Sequence, residues 1–184
     1  LYAMELRRVE AIWVPDFMCD VVPAACAGAG VAVRTYHIGP DLLPDYGSIE
    51  ASYGDYMLLC DYYGRLQEGD VERALSVFKG RLVIDETQGF FRRPWEGADT
   101  LYTCRKYFGV ADGGYLHTFD GQCLERPVKR AESWDKMNYL LGRFERTAGE
   151  FYSESVSNNN RFDGEPPLGM SLLTENILNS VDYE

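Results

Sequence analysis

The sequence predicts an α/β protein with three layers, helices on both faces of a mostly parallel, mixed sheet. Two observations predict it. Strand-like and helix-like segments alternate through the first hundred residues, and the strand-like ones are continuous apolar runs rather than alternating ones. Continuous apolar strands need cover on both faces, which crossover helices supply. Polar residues then gather where the strands end, at Asp61, Asp85 and Thr103–Lys106. In an open parallel sheet that edge is where ligands bind.

The elements follow in order. Residues 1–9 read as a helix. Ala11–Pro15 is a short apolar strand closed by proline. Residues 16–29 are partly helical, with Asp20 as the expected cap, Pro23 in the first turn and Gly30 past the end. Residues 31–37 are β-branched and read as a second strand. Residues 39–52 carry Pro and Gly and read as a loop with one helical turn. Residues 55–60 form a third strand. Residues 70–78 form a helix with Asp70 as N-cap and Gly80 as the glycine beyond its end. Residues 81–85, 100–104 and 114–119 give strands four to six, the last a candidate for an antiparallel neighbour. After Pro127 the character changes. Residues 130–152 read as one long, charged, aromatic-studded helix, 153–167 as a polar loop, and 171–181 as a last helix with a capping-box start. The expected division is a core over 1–125, with 126–184 as further helices of that domain or the start of a smaller one.

Composition excludes several functions. A hydrophobic content of 46% over 184 residues supports a true core. The net charge of −11 argues against nucleic acid or an anionic membrane as partner. No run approaches the roughly 18 apolar residues of a membrane-spanning helix. The five cysteines lack paired spacing and read as reduced thiols of a cytoplasmic protein. With no C-x-x-C and two distant histidines, His37 and His117, no metal site is expected. The chain opens at Leu1 inside a predicted helix and stops soon after another, so it is expected to be part of a longer polypeptide.

Three groups point to chemistry. Lys106 stands among Tyr107 and Phe108, and a lysine desolvated by aromatics has a lowered pKa and a nucleophilic amine suited to an aldehyde. A basic turn holding a carboxylate is the plainer alternative. Asp85 follows an apolar strand directly, where a carboxylate can pair with a cationic ring nitrogen or simply hold a turn. Gln88 can donate to a ligand oxygen or satisfy backbone. Gly109 and Gly113-Gly114 allow a close backbone approach, although Asp-Gly-Gly is also an ordinary hairpin turn.

Together these residues resemble the DegT-like sugar aminotransferases, a branch of the fold-type I pyridoxal-phosphate enzymes. The pattern is an apolar strand ending in Asp85, with Gln88 three residues on. Lys106 comes 21 residues after Asp85, and Gly113 and Gly114 follow it by seven and eight. Trp13–Cys19 is similar to the family's strand-Pro segment, and Gly30–Tyr36 resembles its next strand, so the likeness covers roughly residues 11–120. It implies an aspartate aminotransferase-like large domain binding pyridoxal 5′-phosphate. It implies that Lys106 forms the Schiff base and shuttles the proton of transamination, that Asp85 pairs with the pyridinium nitrogen, and that Gln88 contacts the ring's phenolic oxygen. Thr103 is the local hydroxyl for the phosphate; the family's serine lies five residues before the lysine, where this chain has Leu101. Phe17 or Cys19 faces the ring. The resemblance further implies a homodimer, a nucleotide-linked keto-sugar as substrate and glutamate as amino donor. The family's phosphate-binding turn and its C-terminal small domain have no counterpart in this sequence. A non-catalytic relative serving as scaffold or dimerisation partner is therefore the alternative. An unrelated doubly wound nucleotide-binding domain is disfavoured, since neither glycine-rich phosphate motif is present.

Overall fold

The structure, a computed structural model, describes residues 1–161 and 166–182. They form two compact units. The first takes in Leu1–Tyr102 and Leu116–Glu125, and the second Thr103–Tyr115 and the stretch from Arg126 onward.

The strands are β1 (Ala11–Pro15), β2 (Ala32–Tyr36), β3 (Tyr56–Cys60), β4 (Leu82–Asp85), β5 (Asp99–Thr103) and β6 (Gly114–His117), in the sheet order β2-β1-β3-β4-β5-β6. The four pairings from β2 through β5 are all parallel. The mostly parallel sheet expected of the apolar runs is thus present. Pro15 is tolerated inside it for a physical reason. It pairs with Tyr36 of β2, while β3 reaches β1 only at Ile12 and Trp13, so no second neighbour misses the proline N–H. Strand β2 is the exception to the buried rule: it lies at the sheet edge and is largely exposed.

Period-two alternation sends side chains from each inner strand to opposite faces. Ile12, Val14, Leu58 and Val83 join Ala3 and Met4 of α1 (Tyr2–Arg7) and Cys26 of α2 (Val21–Gly28) in one cluster. Trp13, Met57, Leu59, Leu82 and Ile84 join Val71, Ala74 and Phe78 of α3 (Glu68–Phe78) in the other. Helices therefore cover both faces of the sheet in this unit, as the sequence predicts.

Two caps differ from expectation. Asp20 occupies the N-cap of α2 but its side chain accepts no capping hydrogen bond. Helix α3 starts earlier than Asp70: Gln67 is its N-cap, and Asp70 is the third helical residue, reaching back to accept from the Gln67 N–H at 2.9 Å. At the other end Lys79 takes the left-handed conformation, and Gly80 follows it with φ 79°.

The second unit corrects the sequence reading most. No helix runs through 130–152. That stretch is broken into the short turns Trp134–Lys136, Gly142–Phe144 and Ala148–Phe151 and the one-turn helix α4 (Asn138–Leu141). The cause of the last break is local. Thr147-Ala-Gly-Glu150 is a capping box, with the Thr147 N–H and hydroxyl donating to Glu150 Oε1 at 3.1 and 2.9 Å, so a new helical segment starts there. It continues as α5 (Tyr152–Asn160) through the first part of the expected polar loop. The loop's residues 162–165 lie outside the described residues. Asn158 explains why so polar a segment is helical: it is buried, and its amide donates to the Ala111 carbonyl at 2.9 Å and the Tyr139 hydroxyl at 3.2 Å. The last helix, α6 (Leu172–Asn179), is capped by Ser171, which accepts from the Thr174 N–H at 3.1 Å. Thr174 stands where a capping box needs Glu or Gln, so only half of that motif forms.

Candidate functional site

In the first unit the carboxyl ends of β3 and β4 carry the polar groups. Asp85 closes β4, half-buried, and its Oδ1 accepts the Thr87 N–H at 2.8 Å. That local turn orients the carboxylate and reverses the chain toward Gln88. Gln88 is exposed, and its Oε1 accepts the Tyr63 N–H at 2.8 Å. Tyr63 is a non-glycine residue with φ 59°, and this hydrogen bond steadies the turn after β3. Gln88 thus spends its carbonyl oxygen on backbone, leaving the amide hydrogens as its donors.

Asp61 differs from the strand-end group expected of it. It is 2% exposed, its Oδ1 accepts the Leu66 N–H at 2.8 Å, and its Oδ2 accepts Arg92 Nη1 at 2.7 Å. Its role is to hold the chain after β3, not to meet a ligand. Phe17, beyond β1, is 58% exposed, with its ring 5.7 Å from that of Tyr62. The Tyr62 hydroxyl donates to the Phe17 carbonyl. The ends of β1 and β3 are tied through these two aromatics. Cys19 is exposed.

Tyr62 and Arg92 are not singled out by the sequence. Glu86 is the larger omission. It is fully buried beside Asp61, and its Oε1 accepts from the Trp95 indole N–H. Period two was the available signal: one residue after Asp85, Glu86 must point to the opposite side of the chain.

Thr103 and Lys106 belong to the second unit. Thr103 is half-buried at the end of β5. Lys106 is exposed, on a turn stapled by Cys104 N–H to Gly113 O at 3.1 Å and by Tyr107 and Phe108 N–H groups to Cys104 O. The flanking aromatics do not bury it, because Tyr107 is itself exposed. The Asp-Gly-Gly segment is no surface hairpin. Asp112 is 3% exposed and accepts the Ser171 N–H and hydroxyl, both at 2.8 Å, and the Thr174 hydroxyl. Gly113 has φ 102°, and a Cβ there would stand 2.9 Å from Thr174 Cγ2, so only glycine fits between this turn and α6. Burial and Asp112 push the Cys104 thiol up to about 11, so it stays protonated at neutral pH. Among the described residues no group of three His, Cys, Asp or Glu is placed to hold a metal ion. No helix among them is long and apolar enough to cross a membrane.

No protein-family model and no curated protein matches the chain. Solved structures do. The histidinol-phosphate aminotransferase from Clostridium acetobutylicum aligns with 65% of this chain at 17% identity and a TM-score of 0.51. A candidate aminotransferase from Burkholderia pseudomallei aligns with 89% at 16% identity and a TM-score of 0.50. The fold is the α/β fold of aminotransferases. The chain spans about half the length of these aminotransferases or less, 43% of the first and 51% of the second. A sugar aminotransferase from Micromonospora echinospora aligns at 15% identity over 65% of this chain and 38% of its own, with a TM-score of 0.49, too loose a likeness to bear on substrate. On this aminotransferase fold, Asp85 occupies a strand end of the inner parallel sheet, where its sequence neighbours predict it.

Proposed function

We propose that the chain is part of a pyridoxal-phosphate-dependent aminotransferase acting on a nucleotide-linked keto-sugar, with glutamate as amino donor. The observation that carries the reading is Asp85, a half-buried carboxylate at the carboxyl end of a parallel strand in an aminotransferase fold, held by the Thr87 N–H. An oriented carboxylate of this kind fits the partner of a cationic ring nitrogen. The amide hydrogens of Gln88 fit a donor to a ring oxygen, and the exposed Lys106 fits an amine that must reach an aldehyde. Thr103 offers a hydroxyl to the phosphate, and Phe17 or Cys19 would lie by the ring. The bound cofactor would supply an electron sink that lets a proton leave the carbon bearing the amino group. Lys106 would take that proton and return it at the neighbouring position. The sugar, the donor and a homodimer rest on the sequence resemblance, and a cytoplasmic location rests on the unpaired spacing of the five cysteines.

Titration with pyridoxal phosphate, followed by visible absorbance, tests the reading. The wild-type chain is expected to develop the band of a lysine-bound cofactor, and Lys106→Ala to lose it. Asp85→Ala is expected to weaken binding about 10- to 100-fold, the loss of one charge-assisted hydrogen bond. A band of unchanged intensity in Lys106→Ala would remove that residue from the role. No band at all, with a stable dimer, would favour the non-catalytic scaffold.

A further inference from the structure

Glu86 is a buried titratable group that the proposed chemistry does not use. It is fully buried at the end of β4. Its Oε1 is taken by the Trp95 N–H, whereas Oε2 has no hydrogen-bond partner. A Cβ on Gly89 would lie 2.0 Å from that oxygen, so the turn closes tightly over it. Asp61 interacts with it and is equally buried, with both oxygens already engaged by Leu66 N–H and Arg92. Two buried carboxylates beside one guanidinium would leave an uncompensated charge out of water, which is costly. A proton on Glu86 removes the charge and makes the idle oxygen a hydrogen-bond donor.

We infer that Glu86 is protonated in the folded chain and donates its Oε2–H to Asp61, a neutral carboxyl latch between the ends of β3 and β4 that releases as pH rises. The groups facing it are few. Asp61 follows β3, and Arg92 and Trp95 come from the segment after Gly89. Tyr102 comes from β5, its hydroxyl donating to the Arg92 carbonyl at 3.0 Å. Burial and Glu86 push that phenol up to about 12, so it stays neutral throughout. The neighbouring Asp85 is turned onto Thr87. Burial pushes Glu86 up from 4.5 to about 7, Asp61 adding to it against the opposing pull of Trp95 and Arg92. A folded-state pKa above the unfolded one means the folded chain holds the proton more tightly. Stability from the latch is therefore complete below about pH 4.5 and is lost as pH rises through about 7. The latch carries the Asp85–Gln88 turn, whose Gln88 in turn holds Tyr63, so release loosens that edge of the sheet. The inference does not depend on any cofactor.

Thermal unfolding of the full chain from about pH 4 to about pH 8.5, in wild type and Glu86→Gln, tests it. Glutamine keeps an acceptor for Trp95 and a donor for Asp61 without a titrating proton. The two are expected to melt together at the acid end, with the variant roughly 5 °C higher at the alkaline end. Parallel decline of both would overturn the latch. A second readout needs no variant: the infrared C=O band of a buried carboxylic acid in the wild-type chain, disappearing as pH passes neutrality. Absence of such a band would overturn the inference as well.

Discussion

Asp112→Ala is expected to destabilise the second unit by about 3–5 kcal/mol, the largest effect of any polar substitution here. The carboxylate is 3% exposed and accepts the Ser171 N–H, the Ser171 hydroxyl and the Thr174 hydroxyl. Ser133 extends the network, its hydroxyl 2.7 Å from that of Ser171. Alanine would leave the first-turn donors of α6 buried and unpaired, and each such group costs about 1–3 kcal/mol. It would also remove the anchor that holds the 103–115 segment on α6. Urea titration read by far-ultraviolet circular dichroism gives the magnitude, and hydrogen exchange localises it: α6 and the Cys104–Gly113 turn should lose protection first. A loss under about 1 kcal/mol would mean the network is redundant.

Phe78→Ala should cost the first unit about as much, about 3–5 kcal/mol, by a different route. Phe78 is the last residue of α3 and 1% exposed, packed in the cluster with Met57, Leu59, Leu82 and Ile84. Truncation removes the apolar contact and leaves a cavity under a sheet of parallel strands that cannot readily collapse into it. Val77, the preceding residue, is 41% exposed. Val77→Ala should stay within about 0.5 kcal/mol. The pair distinguishes burial from helix propensity, which both changes alter in the same direction, and denaturant midpoints of the two variants measure it.

What could be read from the sequence divides along range. The inner strands declare themselves because β3 and β4 are unbroken apolar runs, and their ends mark Asp85 and Gln88 without help from the rest of the chain. Local grammar also holds for the Ser171 cap. It fails where the deciding contact is remote. Asp112 looks like a turn residue because its partners, Ser171 and Thr174, are 59 and 62 residues away. Asn158 looks like loop because the carbonyl it serves, at Ala111, is 47 residues back. The expected long helix over 130–152 is a different failure. Its charged and aromatic residues suggest continuity, while the Thr147–Glu150 box, a purely local signal, starts a fresh segment inside it. Glu86 combines both causes: period two turns it away from Asp85, but only the tertiary fold places Asp61, Arg92 and Trp95 around it.

Lys106 is the amine proposed to carry the cofactor. Borohydride reduction of the chain mixed with pyridoxal phosphate, followed by peptide mass mapping, tests it directly. One pyridoxyl adduct is expected, on the peptide bearing Lys106. An adduct confined to Lys79, Lys129 or Lys136, or none at all, would contradict it.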